Sequence, residues 1–515
     1  MKEMIRKKTK FLLVMIMMIV TIGGIIMVRY CSQCGHILEE NFINVLNPPE
    51  GLKPLVNDGK NDNSELLYDM IFYLNNTPEK EGTLFFPDEG SYLFDKQIYV
   101  DMKEMKLTLK GNESRLNVKR ADEYENLFYI VNINKFDVEN MKFNTNSVSS
   151  GTYGHRGYIE IEDADEIILN NVSLDNADYG LKINFQDSDK LSEQNTVKHL
   201  ITNNVSGENV SCFMHICNIE KWDAQNLKIN VTDEDDNNVP NVAIYLRPRS
   251  QNITIDNLEV DNCPGDVLHF NRFDYTTVGA YPPMGTPGFE DKNIKITNVK
   301  AKNIGQLVGF NSETSDITFE NVHVENQNRE YGGIIHAFEG KCDNLTINNF
   351  EFKNIYKLLA LEETNAGFGT ISIKNGKVSE PLKGNQDAFG PVEKLILENI
   401  EYDNIDNRNN SGSIALMLYG QWNEVYLNNL KFNIGTSFRR NTEVIRLSDN
   451  FKGKVYAENI EFVRNKKNKY LLNAFSVYYN SKYPVDELTK LYVKDIILKN
   501  INLYYGDMKF LVKIN

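Results

Sequence analysis

The chain has 515 residues, 41% hydrophobic and 25% charged, with a formal net charge of −15. This is enough apolar content for one large solenoid. The acidic balance argues against nucleic acid as a partner, because a phosphate backbone is gripped by clustered Lys and Arg.

Residues 1–10 carry Lys2, Arg6, Lys7, Lys8 and Lys10, and Phe11–Val28 is an uncharged apolar run closed by Arg29. At about 1.5 Å rise per residue the run just spans a bilayer core. The basic flank keeps the N-terminus cytoplasmic and the body outside, so residues 11–28 read as a signal anchor in the cell membrane. A cleaved secretory signal is the competing reading, although no small-x-small site follows. Either way the body is exported. Residues 29–55 form a stalk, with 41–53 a short linker containing Pro48, Pro49 and Gly51. Cys31, Cys34 and His36 resemble half of a zinc site, but no second ligand pair accompanies them, so a stalk disulfide or adventitious thiols is the better reading and no metal site is assigned. Nothing identifies a cofactor. Cys212, Cys217, Cys263 and Cys342 lie in later apolar segments and are expected to pack as small hydrophobes, not as a disulfide scaffold.

Residues 56–120 have a different character. Asp62 with Glu65 three residues on forms a capping-box-like helix start, and Leu66, Leu67, Met70, Ile71 and Leu74 make an apolar stripe. GTLFFPDEGSYLF at 82–94 and LTLKGNESRLNV at 107–118 follow. The pattern of Asp58-Gly59, Asp62 and Ser64, a helix, then G-T-L-F-F-P and L-x-G resembles the leading segment of the pectate lyase superfamily, including polygalacturonase-related and tailspike-like proteins. The resemblance covers 56–118 specifically; beyond that it rests on repeat architecture. It implies a segment that caps a β-helix without chemistry of its own, so Asp58, Asp62 and Tyr92 are structural. It also implies action on, or binding to, polysaccharide, without choosing among lyases, hydrolases, epimerases and non-enzymes.

From 121 to 515 one phrase recurs. It is clearest in NITIDNLEVDN at 252–262, with near-copies at 317–326, 345–354, 395–404, 425–433 and 455–463. Apolar and polar residues alternate as in half-buried strands, and the central Asn can take the left-handed conformation that bends the chain. These Asn fall at 140, 171, 204, 257, 298, 321, 349, 399, 429 and 459, with variants at Asn375-Gly376 and Asp495. Shorter strands such as LKINF at 181–185 and VAIYLRPR at 242–249 lie between the phrases. One turn of about three strands cannot bury its own apolar face; stacking can. The expected fold is therefore all-β: a right-handed parallel β-helix of roughly a dozen turns, with Asn ladders at its bends.

Aligning the short strands by inward pairs such as Leu181/Ile183, Ile244/Leu246 and Leu268/Phe270 places Glu160, Lys182, His215, Tyr245, His269 and His336 in one outward column. The next outward position gives Glu162, Asn184, Cys217, Arg247, Asn271 and Phe338, then Glu362. The expectation is a solvent-facing polar stripe. The Tyr-, Pro- and Gly-rich excursion within 271–291 lies alongside and could wall a groove. A register error of one residue would turn the histidines inward.

Glycoside hydrolysis needs two carboxyl groups about 5 to 9.5 Å apart. No adjacent Asp pair falls on a strand, since Asp235-Asp236 sits in a polar loop. Eliminative cleavage of a uronate polymer needs a cation for the carboxylate, a base for the C5 proton and an acid for the leaving oxygen. Arg247 or Arg249 supplies the first, and His269 or His215 with Tyr245 the others. The catalytic candidates are Tyr245, His269, His215 and Arg247. Arg249, Lys182, His336, Asn271, Glu160 and Glu162 are the substrate-binding ones. The reading is an exported polysaccharide lyase acting on an acidic glycan. A hydrolase using carboxylates such as Glu160, Glu162 or Asp266, or a non-catalytic glycan-binding or structural surface protein, are the alternatives.

Overall fold

A computed structural model describes residues 41–119, 126–145, 157–184, 195–231, 241–271, 288–329, 332–337, 340–361, 367–380, 387–388, 392–405, 413–418, 420–435, 442–448, 451–464, 472–477 and 485–513. Phe11–Val28, the Cys31/Cys34/His36 group, Asp235-Asp236, Phe338, Glu362 and most of the 271–291 excursion lie outside the described residues. Among the described residues no helix is long and apolar enough to cross a membrane.

The chain coils as a parallel β-helix. Twenty-eight described strands join one sheet system, and four more, Ser413–Leu418, Thr442–Leu447, Leu472–Val477 and Asn502–Tyr505, form a second. All strand pairings in both are parallel. The recurring phrase forms the long strands, such as Gln251–Asp261, Asp291–Ile304, Glu313–Gln327 and Asn344–Lys353, which pair in succession. Their alternate residues make the core: Ile253, Ile294, Ile317 and Leu345 stack in one row, and Ile255, Ile296, Phe319 and Ile347 in the next, all fully buried.

Each predicted bend Asn has positive φ, from Asn140 at 54° to Asn459 at 54°, as do Asn375 and Asp495. The side chains form the expected ladder. Asn171 Nδ2 donates to Asn140 Oδ1 at 2.9 Å, Asn204 to Asn171 at 2.9 Å, Asn321 to Asn298 at 3.0 Å and Asn349 to Asn321 at 2.6 Å. Asn226, in a less regular phrase, is a further rung, donating to Asn204 at 2.8 Å and accepting from Asn257 at 2.7 Å. A second ladder at the far end of the phrase runs through Asn303, Asn326 and Asn354, again with positive φ.

The helix Ser64–Asn75 lies at the N-terminal end against Glu81–Phe86 and Ile98–Asp101, burying Leu67, Met70, Ile71 and Leu74 completely. Leu74 settles over Gly82, where any Cβ would stand 2.4 Å from its methyl carbon. The capping box does not form. Asn63 is the N-cap residue, and its side chain ties Val56 to Leu93; Asp62 accepts from Ser64 N at 3.0 Å, and Glu65 pairs outward with Lys96 at 2.8 Å. The stretch read as linker also differs. Phe42–Asn44 pairs with Glu81–Phe86, burying Ile43 and Val45, an inward alternation too short to register as a period in the sequence. Cys212, Cys217, Cys263 and Cys342 are all buried, as expected of small core residues.

Asn321→Ala puts a Cβ-bearing residue without a carbonyl partner at φ 57° and removes two rungs. It should cost about 2 kcal/mol. Asn321→Gly, which loses the rungs but tolerates the backbone, should cost less. Urea midpoints of the two variants check this; equal midpoints would refute the conformational account.

Candidate active site

The short strands of one face share a local irregularity. Two consecutive apolar residues point inward, as in Leu127/Phe128, Phe213/Met214, Ala243/Ile244, Val267/Leu268, Leu307/Val308 and Ile334/Ile335, all buried to within 1%. Strict alternation would place residues i and i+3 on opposite faces. The doubled inward pair instead brings both flanking residues to the outside. Two outward columns result, and the second is the one read from the sequence.

The register of that column is continuous: Tyr129, Glu160, Lys182, His215, Tyr245, His269, Gly309, His336, Ala360. His215, Tyr245 and His269 are thus neighbours. Ring centroids are 4.8 Å apart between His215 and Tyr245 and 5.3 Å between Tyr245 and His269, the latter stacked at 19°. His336 is not beside His269, because Gly309 occupies the position between them.

The stripe does not face solvent as expected. Glu160 and Lys182 are 1% exposed, and His215, Tyr245, Arg247 and Asn271 are also buried; His269 and His336 are half-buried. At one strand separation, side chains this large close over one another, and the first outward column, including Tyr179, Cys212 and Val242, packs with Tyr245 as a separate apolar cluster.

His269 Nδ1 makes a short contact to the Asp266 carboxylate, its i−3 neighbour across the doubled Val267/Leu268 pair. Gly309 makes room for both: a Cβ there would stand 2.1 Å from Asp266 Oδ2 and 2.8 Å from His269 Nδ1. With the proton on Nδ1, the other ring nitrogen is the basic one, and it lies 3.5 Å from Asn311 Nδ2. Asn271 Nδ2 donates to the Tyr245 hydroxyl, fixing the phenol next to that imidazole. Asp266 was weighed in the sequence only as a hydrolase carboxylate; its partnership with His269 needs the inward doubling, for which D-V-L-H is the sole signal.

The other candidates divide. Arg247 follows the strand Val242–Leu246 at the same end as Tyr245, and its carbonyl accepts from Ser250 Oγ at 2.9 Å. Ser250 N donates to the fully buried Asp291 at 2.9 Å, so a carboxyl braces this turn. Arg249, at φ 73°, lays its guanidinium 4.0 Å from the Phe289 ring centroid. Glu160 and Lys182 engage each other at 3.6 Å, with Asn126 donating to Glu160 and the Lys182 ammonium 4.9 Å from the Tyr179 ring centroid. Glu162 accepts from the Tyr129 hydroxyl at 3.0 Å. Asn184 bonds the Cys217 carbonyl at 2.9 Å and is a bend residue with φ 51°. Among the described residues no cluster of His, Cys, Asp or Glu could hold a metal ion.

No protein-family model matches the chain, and no curated protein matches it. Solved structures to which it is similar include the tailspike protein of E. coli bacteriophage HK620, at 11% identity and TM-score 0.41, covering 86% of this chain and 78% of that one. The surface adhesin PfbA of Streptococcus pneumoniae aligns at 11% identity and TM-score 0.34, over 79% of this chain and 89% of the adhesin. The endo-xylogalacturonan hydrolase of Aspergillus tubingensis aligns at 13% identity and TM-score 0.23, over 87% and 98%. At these values no residue role passes from them to this chain.

Burial pushes the Asp291 carboxyl well above its ordinary pKa, against the bonds from Ser250 and Ser312 that favour the anion. A folded pKa above the unfolded one means the contribution to stability is full below the unfolded carboxyl pKa of about 3.9 and is lost as pH rises through the folded value. Asp291→Asn should therefore be more stable than the parent at pH 8, with the difference shrinking toward pH 4. Urea midpoints across that range check it; a difference that grows on acidification would contradict the burial account.

Proposed function

We propose that the chain acts on polysaccharide and cleaves an acidic glycan by β-elimination. The single observation that carries this reading is the Asp266–His269 pair stacked against Tyr245, whose hydroxyl Asn271 holds. The resemblance of residues 56–118 to the leading segment of the pectate lyase superfamily supports the substrate class. Asp266 positions the imidazole, so that His269 Nε2 takes the C5 proton of a uronate. The C–H electron pair becomes the C4=C5 double bond as the C4–O bond breaks, and the Tyr245 hydroxyl protonates the leaving oxygen. Arg247 and Arg249 are the cations for the substrate carboxylate, where a guanidinium offers paired donors. His215 backs Tyr245 at 4.8 Å between ring centroids. Hydrolysis is the weaker reading, because Glu160 and Glu162 are already engaged by Lys182, Asn126 and Tyr129, and Asp266 by His269.

His269→Ala and Tyr245→Phe should each lower the rate about 10²–10⁴-fold on the polymer that the protein cleaves. Each leaves a buried partner, Asp266 or Asn271, without its bond, so each should also cost about 1–3 kcal/mol of stability while the fold, followed by circular dichroism, is kept. Products should absorb as unsaturated uronates. Full activity in both variants, or ordinary reducing ends without the unsaturated chromophore, would reject the lyase. We further propose that residues 11–28 anchor the body outside the cell. Protease added to intact cells should then cleave the chain after residue 50, and protection until the membrane is permeabilised would reverse the orientation.

A further inference from the structure

The last coils carry a second feature, outside the site above. Residues 451–515 hold twelve Lys and Arg against six Asp and Glu, a net of +6 in a chain whose total is −15. On the outer face of the long strands Gln421–Ile434, Lys452–Arg464 and Lys490–Lys499, Tyr426, Tyr456 and Tyr492 stand in register. Their rings stack at 4.9 Å and 15°, then 5.0 Å and 8°, and all three are half-buried.

Two residues before each Tyr, on the same face, runs a column of Lys394, Glu424, Lys454 and Lys490. Lys394 lies 4.7 Å from the Tyr426 ring centroid, and Glu424 accepts from the Tyr426 hydroxyl at 2.8 Å. Two residues after each Tyr, charges are neutralised within the chain: Lys494 pairs with Glu458 at 2.7 Å, and Asn428 donates to Glu398 at 3.2 Å. On the near side, by contrast, Lys454 and Lys490 take part in no ion pair among the described residues, and the Tyr456 and Tyr492 hydroxyls make no hydrogen bond there.

We infer that this strip is a binding site for an extended acidic polysaccharide lying along the helix axis, separate from the candidate active site. Lys454 and Lys490 meet its carboxylates, and the Tyr456 and Tyr492 hydroxyls meet its hydroxyl groups at the spacing of the strands. Ring faces in this stack are covered by one another, so edges and hydroxyls are what the strip offers. That favours a sugar chain over a nucleic acid, whose bases bind by stacking on open aromatic faces. The inference does not rest on the lyase reading, since a chain unable to cleave would still bind here.

The test is binding of the exported body, carrying His269→Ala to prevent turnover, to fluorescent polygalacturonate and hyaluronate, with dextran and oligo(dT) as competitors. At least one acidic polysaccharide should bind, dextran should not compete, and oligo(dT) should compete more weakly than the unlabelled glycan. Lys454→Gln with Lys490→Gln should weaken binding about tenfold. Tyr456→Phe with Tyr492→Phe, which preserves the stack, should weaken it several-fold. Unfolding temperatures of both double variants should match the parent. Failure of both acidic probes to bind, unchanged affinity in the folded Lys variant, or tighter binding of oligo(dT) would each overturn the proposal. Unchanged affinity in the folded Lys variant would sink this proposal and leave the catalytic reading standing, since the glycan could still be held at Arg247 and Arg249; loss of cleavage in His269→Ala leaves the binding strip untouched.

Discussion

The left-handed Asn at each bend is the constraint on which the rest of the molecule depends. A residue with a Cβ ordinarily resists positive φ, and Asn is tolerated there because its short amide bonds locally. In this chain the amide also bonds to its copy on the next coil, as Asn321 does to both Asn298 and Asn349. The same residue therefore turns the chain and fixes the vertical register. Once register is fixed, every inward row is continuous, and each coil buries what its neighbour exposes.

Register at the bends also determines which outward residues meet. Because the long strands are locked by their ladders, the short strands on the site face inherit the same vertical order, and His215, Tyr245 and His269 fall next to one another. Local departures then decide what those neighbours can do. The doubled inward pair in each short strand brings Asp266 round to His269, and the missing side chain at Gly309 leaves the volume in which the two meet. An imidazole held against a carboxylate and a phenol held by an amide are consequences of two irregularities laid over a regular scaffold.

Charge follows the same logic of rows. Along the phrase strands, outward positions pair with the coil above or below, as with Lys431 and Glu401 or Lys353 and Glu325. Exposed pairs of this kind contribute little individually. Their use is to neutralise a face whose charges would otherwise repel in a column; beside Tyr456 and Tyr492, Lys454 and Lys490 have no such partner among the described residues.

The sequence by itself determined the coil. The period of the phrase, the bend Asn from 140 to 459 and the membership of the outward column were all legible, because they are local patterns repeated many times. Phe42–Asn44 was not, being a single three-residue strand with nothing to repeat it. The partnership of Asp266 with His269, the interruption of the histidine column at Gly309 and the burial of Glu160, Lys182 and Arg247 were decided only by the tertiary structure. The first comes from a break in alternation, which a period-two reading averages away. The second depends on which strand of a neighbouring coil lies between two others, and the third on how closely side chains from separate coils pack, quantities that no single stretch of sequence contains.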